Sequence, residues 1–398
     1  MQLAGFVLLM FIGRPASAGL ASLLAGGESE AFMTTPEVIR KYGYPAEEHT
    51  VETKDGYVLK HFRIPGGRTN SNAGRPAVIL QHRLLMTSSA WIFLGQEGSL
   101  AFNLADAGYD VWLTNSRGNR YSRKHVTLSP DTEKFWDFSW HEMGMYDLPA
   151  TVDYILNITG NKQLYYVGHS IGSSIFSVMT SKLPEYNQKI SLNVGLAPAI
   201  YVGNPTGLEL RTLVLFRNIM AVLFKTLRLW EILPYSRLRS AWLAYVCSKG
   251  PLFYLLCLPS YKINFGSYKY ANKTQLPVFV ANLYSGTSLK NILHTFQIIS
   301  TGKFSEFDYG SAKNMEVYGQ SEAPDYNLKN ISVPTSLYYS KGDIIINSES
   351  VQKLATVLPH IIGMNDAFPP EFGHVDFIIA SEAKPLVYDK ILNDMKLY

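Results

Sequence analysis

The sequence predicts an α/β fold, a mostly parallel central sheet flanked by helices, with a mainly helical segment inserted late in the chain. Three observations carry this expectation. Short apolar runs alternate with helical patterns through the middle of the chain, which implies right-handed βαβ units. A strand pattern runs into Gly168-His169-Ser170-Ile171-Gly172 and continues as a helical pattern. The alternation stops between Ala199 and about Asn327 and then resumes, as an insertion between sheet strands requires.

Taken in chain order, the first feature is an apolar run from Leu3 to Gly13, followed by Ala16-Ser17-Ala18. The run is too short for a comfortable transmembrane span, and a small-x-small triplet suits cleavage after Ala18. Residues 1–18 therefore read as a signal peptide for the secretory pathway. Residues 19–199 read as the first part of the core. Within it, His49 to Ile64, with Asp55-Gly56 at its centre, has a hairpin pattern. Ala77 to Leu80, Asp110 to Thr114, Gln163 to Gly168 and Ser191 to Leu196 read as buried strands. Gly144 to Asn157 and Ser173 to Leu183 are helical between them.

Residues 200–327 form the expected cap. Thr212 to Leu233 is apolar enough to raise a membrane reading, but Arg217, Lys225 and Arg228 are each costly at a bilayer centre. An amphipathic helix is the better description, and its cations suit an anionic lipid surface or a solvated edge of a packed cap. Residues 328–398 return to the core with a strand at Ser336 to Ser340.

Composition narrows the function. Of 398 residues 47% are hydrophobic and 17% charged, so a sizeable core is available. A net charge of +4 is too dilute for a nucleic-acid-binding face. Two cysteines cannot make a disulfide scaffold or a four-cysteine zinc site, and no metal site is expected. An oxidising compartment permits Cys247 and Cys257 to pair, as readily as both stay buried thiols. Asn157, Asn272 and Asn330 each begin an N-x-[ST] triplet, the acceptor pattern for glycosylation in an exported chain.

The chemistry rests on Ser170. A bare G-x-S-x-G occurs by chance in roughly one chain in eight, so the strand before it and the helix after it carry the signal. In that setting the serine stands on a sharp turn, and the backbone N–H of Ile171 faces a developing oxyanion at a helix N-terminus. Such sites run in the order serine, acid, histidine. Of the histidines after Ser170, His294 falls in the expected cap and His360 follows Leu358-Pro359; His374 lies in a loop after the last expected strand. Asp343 stands directly after the strand ending at Ser340, where it can orient an imidazole, with Asp308 and Asp325 as rivals. The intervals leave room for a cap before the acid and one helix–strand unit after it. A second oxyanion donor is expected from Gln81-His82-Arg83-Leu84-Leu85, at the N–H of Leu84.

Several further segments carry a family resemblance: Tyr42-Gly43-Tyr44-Pro45-Ala46-Glu47-Glu48-His49, Thr53-Lys54-Asp55-Gly56-Tyr57, Asn115-Ser116-Arg117-Gly118-Asn119, Trp136-Asp137-Phe138-Ser139-Trp140 and Tyr146-Asp147-Leu148-Pro149-Ala150. In combination, and from roughly Thr35 to Lys396, the chain resembles the acid lipases, the group containing gastric and lysosomal acid lipase and their insect relatives. The resemblance implies an α/β-hydrolase fold with a helical cap bearing a lid, and a secreted or lysosomal glycoprotein. It implies hydrolysis of triacylglycerols or steryl esters at a lipid–water interface without metal or cofactor. By motif match it implies a triad of Ser170, Asp343 and His374, with oxyanion donors at Leu84 and Ile171. The family's cap disulfide draws on a third cysteine that this chain lacks, so a Cys247–Cys257 bridge is permitted but not implied.

Two departures bear on activity. Arg83 stands where the family has glycine, in a loop whose backbone must turn beside the oxyanion. Ile171 replaces the family's glutamine but keeps its N–H. The alternative to an active serine hydrolase is therefore a lipid-binding homologue, catalytically weakened by an oxyanion loop that Arg83 has disrupted.

Overall fold

The computed structural model describes residues 30–68, 74–203, 205–248, 267 and 269–398. The expected signal peptide at residues 1–18 and Cys257 lie outside the described residues.

The hairpin pattern becomes strands β1 (Glu47–Glu52) and β2 (Val58–Ile64), paired antiparallel in the register Glu47 with Arg63 through Glu52 with Val58. The buried runs become β3 (Ala77–Gln81), β4 (Asp110–Leu113), β5 (Leu164–His169) and β6 (Ile190–Leu196). The chain then leaves the main sheet. A two-residue ribbon, β7 (Glu231–Ile232) with β8 (Thr287–Ser288), pairs among the helices that follow. It rejoins the sheet as β9 (Thr335–Tyr338) and β10 (Ile361–Asn365), with the helix Ser348–Val357 between them.

The resulting eight-stranded sheet has the order β1-β2-β4-β3-β5-β6-β9-β10. From β4 onward every neighbour pair is parallel. Strands β3 and β4 are buried throughout, as apolar runs covered by helices on both faces must be. The order turns at β3: the chain moves from β3 to β4 on one side and then to β5 on the other. That reversal is a switch point, where the loops beyond the carboxyl ends of two parallel strands diverge and leave a crevice. Gln81 and Gly168 are in register at its edge, so the loop after β3 and the turn after β5 share one place.

One expected element differs. Thr212 to Leu233 is not a single amphipathic helix but the second half of Leu208–Leu215, then Arg217–Thr226, a turn and β7. Phe216, at φ −90° and ψ 8°, breaks the helical path. Arg228 and Leu233 adopt left-handed backbone, at φ 54° and 51°, where a continuous helix is impossible. Among the described residues, no helix is long and apolar enough to cross a membrane.

Candidate active site

Ser170 is the one residue between β5 and the helix Ile171–Lys182, and its backbone is strained at φ 58° and ψ −117°. Three hydrogen bonds hold it there. Its N–H donates to the Leu196 carbonyl at 2.9 Å, and its own carbonyl accepts from Ser173 N at 3.0 Å and Ala199 N at 3.2 Å. The flanking glycines contribute space, not a left-handed turn, since neither has a positive φ. A Cβ on Gly168 would stand 2.8 Å from the Gly172 carbonyl carbon, and one on Gly172 would stand 2.8 Å from the Gln81 carbonyl oxygen. The turn is tight because two backbones pass where no side chain fits, and the strain falls on the serine.

Asp343 follows β9 and His374 follows β10, both at the same edge of the sheet. Asp343 Oδ1 accepts from the N–H groups of Ile345 and Ile346 at 2.8 and 2.9 Å. Its Oδ2 lies 2.8 Å from His374 Nδ1, and both side chains are only 1% exposed. A carboxylate accepts, so His374 Nδ1 carries a proton and donates it. Below, His169 Nε2 lies 2.8 Å from the His374 carbonyl oxygen and donates to it, which ties the histidine's backbone to the end of β5. Burial, with the adjacent His374 ring and the Arg83 cation opposing a charge there, keeps the His169 ring well below the ordinary histidine range.

Ser170 and His374 both line the wall of one cavity. Leu84 and Ile171 line it beside them, and Ile171 is the first residue of its helix. The remaining wall is largely aliphatic and aromatic: Leu210, Leu213, Met220 and Phe224 come from the two helices after β6, and Phe296 and Ile299 from the helix Leu289–Thr301. This is a largely apolar chamber with a hydroxyl, an imidazole, Arg83 and a helix N-terminus at one end. It can bring a nucleophile, a proton acceptor and an oxyanion site to one carbonyl.

The rival residues stand elsewhere. His294 is fully buried, stacked on Trp140 at 3.8 Å, with Nδ1 on Ser139 Oγ and Nε2 on the Ser305 carbonyl, both at 2.9 Å. His360 is exposed, and Asp308 is engaged with Gly310 N and Asn314 Nδ2. Asp325 pairs through its backbone with Ser305. Asn157 and Asn330 are exposed and Asn272 half-buried. Cys247 is buried and disulfide-bonded.

The strain expected of Arg83 is absent. The left-handed residue of the loop is Leu85, at φ 65°, and Arg83 has no positive φ. Arginine in place of glycine therefore needs no left-handed backbone in this loop, and a disrupted oxyanion loop finds no support there. Sequence reasoning also missed two residues, His82 and His169. Each sits at the carboxyl end of a central strand, next to a residue already singled out.

Residues 35–95 match the family described as partial alpha/beta-hydrolase lipase region, and residues 76–220 match the alpha/beta hydrolase fold. Lysosomal acid lipase/cholesteryl ester hydrolase of Homo sapiens is 38% identical, covering 100% of this chain and 99% of its own length. Gastric triacylglycerol lipase of Bos taurus is 37% identical over 92% of each chain. Lipase 1 of Drosophila melanogaster is 36% identical, over 92% of this chain and 80% of its own. A solved structure from Sulfolobus solfataricus, 15% identical, covers 88% of this chain and 94% of its own with a TM-score of 0.54, a likeness of fold alone.

Proposed function

Because this chain belongs to the acid lipase family and is an ester hydrolase of the α/β-hydrolase fold, we propose that it cleaves lipid esters through an acyl-enzyme formed on Ser170. The observation that carries this reading is the cavity in which Ser170 and His374 share a largely apolar wall with Arg83, with Asp343 behind the imidazole.

In the first half-reaction Ser170 Oγ attacks the ester carbonyl while His374 Nε2 takes its proton. The carbonyl oxygen becomes an oxyanion facing the N–H groups of Leu84 and Ile171. The intermediate collapses, His374 returns the proton to the departing alcohol, and the acyl group stays on Ser170. Water, deprotonated by His374, then attacks the acyl carbonyl; the bond to Ser170 Oγ breaks as His374 returns the proton to that oxygen, and the acid leaves. Asp343 stays ionised, holds the imidazole in the Nδ1–H tautomer and stabilises the imidazolium.

The substrate class follows from the walls. Leu210, Leu213, Met220 and Phe224 suit a long acyl chain more than a short polar acid. Residues 200–327 act as the cap over this chamber. Its outer surface carries Ile219, Val222 and Leu223, each at least half exposed, among exposed Arg211, Lys225 and Arg228. That combination supports work at a lipid–water interface, on triacylglycerols or steryl esters. The signal pattern and the sequons at Asn157, Asn272 and Asn330 support a secreted or lysosomal glycoprotein.

The test is hydrolysis of emulsified triolein, cholesteryl oleate and soluble p-nitrophenyl butyrate from pH 4 to 8. Turnover of either emulsified lipid is expected. Turnover of the soluble ester alone would replace the lipase reading with that of a short-chain esterase.

A further inference from the structure

His82 lies directly after β3, 3% exposed, under the loop that carries Leu84. Its Nδ1 is 2.7 Å from the Arg83 carbonyl oxygen. Its Nε2 is 3.1 Å from the backbone N of Ser116 and 3.3 Å from Asn119 Nδ2. A carbonyl only accepts, and these two nitrogens only donate. The neighbours therefore dictate the ring's state: the proton is on Nδ1, the lone pair on Nε2, and the imidazole is neutral.

The peptide between Arg83 and Leu84 is trans and planar, so its C=O and N–H point in opposite directions. Whatever fixes the Arg83 oxygen also fixes the direction of the Leu84 N–H. That oxygen receives His82 Nδ1–H and, more weakly, Met86 N–H at 3.3 Å. We propose that His82 is a positioning residue that aims the Leu84 N–H into the oxyanion site, with Ser116 and Asn119 as its anchor. The proposal rests on the hydrolase reading above, which makes Leu84 a donor.

The anchor is itself braced. Asn119 Oδ1 accepts from Tyr121 N and Ser122 N at 3.0 and 3.2 Å, and its Nδ2 donates to Asn115 Oδ1 at 3.1 Å. Asn115 N in turn donates to His61 Nδ1 at 3.1 Å. The segment Asn115-Ser116-Arg117-Gly118-Asn119, which the catalytic steps leave unused, thereby gains a role in holding the far end of the His82 ring.

A second proton on His82 would set an N–H against two donors and undo the latch. Burial, with the adjacent Arg83 cation opposing further charge, lowers the ring to about 4 although its bond to the Arg83 carbonyl favours the charged form. The other titratable rings nearby, His61 and His169, are likewise buried and kept neutral by burial. The latch therefore holds through the mildly acidic range in which an ordinary histidine charges.

The test compares His82→Asn, His82→Gln and His82→Phe on p-nitrophenyl butyrate. Asparagine places an amide near the Nδ1 position and can still donate to the Arg83 oxygen; glutamine reaches the Nε2 position instead. Loss of one oxyanion donor costs ~10²–10³ in kcat. His82→Gln and His82→Phe are expected to lose roughly 10²-fold in kcat with KM almost unchanged, and His82→Asn to stay within about tenfold of wild type. Asn119→Ala, which leaves His82 in place, is expected to lower kcat by roughly tenfold, and it gives the answer if the first variants do not fold. Equal losses in His82→Asn and His82→Gln, a change in KM alone, or an Asn119→Ala enzyme with wild-type kcat would overturn the proposal while leaving an active hydrolase. A wild type that cleaves no ester would overturn the hydrolase reading, and this proposal with it.

Discussion

Asp343 and His374 meet at 2.8 Å in a setting that leaves the carboxylate no freedom, because its other oxygen is held by two backbone N–H groups from Ile345 and Ile346. Asp343→Asn can keep both of those bonds through its own oxygen. It then presents an NH₂ to His374 Nδ1, which moves the ring proton to Nε2, toward the serine. A misplaced tautomer of this kind costs ~10⁴ in kcat with little cost to folding. Steady-state kinetics on a soluble ester, with a melting curve as control, checks it; a loss below tenfold would remove Asp343 from the proposed triad.

Gly172 offers a test of the turn itself. Alanine is the better helix former by about 1 kcal/mol, yet its Cβ would stand 2.8 Å from the Gln81 carbonyl oxygen. Overpacking against a backbone atom costs roughly 1–3 kcal/mol, so the clash prevails. Gly172→Ala is expected to melt below wild type and to lose activity as β3 is pushed away from Ser170. A melting temperature at or above wild type would show that the helix Ile171–Lys182 and β3 are not in forced contact.

These two sites illustrate what was legible in the sequence. Strand positions and the chain order of Ser170, Asp343 and His374 could be read because apolar runs and G-x-S-x-G are local patterns. The actual role of Gly168 and Gly172 could not, since the atoms that exclude a Cβ belong partly to another strand. His82 and His169 were invisible for the same reason: their partners, Ser116, Asn119 and the His374 carbonyl, lie far away in sequence. A histidine at the carboxyl end of each central strand was the available signal. The division of Thr212 to Leu233 depended on the backbone of Phe216 and Arg228, which apolar patterning does not specify.

Arg83→Gly separates backbone from charge. Since Arg83 has no positive φ, glycine relieves no strain. Its kcat is expected to stay within about tenfold of wild type. A gain of 10²-fold or more would mean that the arginine holds the oxyanion loop in an unproductive form.

The pH dependence of stability has two opposed sources. Asp376 is fully buried, with Oδ2 accepting from Gly373 N at 2.6 Å. Burial raises it from 3.8 to about 7 against that hydrogen bond, and the charges of Asp343 and Glu382 add to the rise. The folded chain thus holds this proton more tightly than the unfolded chain, and the stability it contributes is lost as pH rises through that window. Asp376→Asn is expected to gain on the order of 2–4 °C in melting temperature relative to wild type at pH 8 compared with pH 4.5. His61 and His294 act the other way: burial lowers both from 6.5 to about 3, so stability falls as pH drops below 6.5 and unfolded histidines take up protons. A relative gain for Asp376→Asn that is the same at both pH values would contradict an elevated Asp376.

The most direct measurement is ester hydrolysis by wild type and Ser170→Ala side by side, with an alkyl fluorophosphonate added and the labelled peptide identified by mass spectrometry. Wild type should turn over the ester and carry the phosphonyl group on Ser170, and the alanine variant should do neither. A Ser170→Ala protein that hydrolyses the ester at the wild-type rate would place the nucleophile elsewhere and contradict the site described.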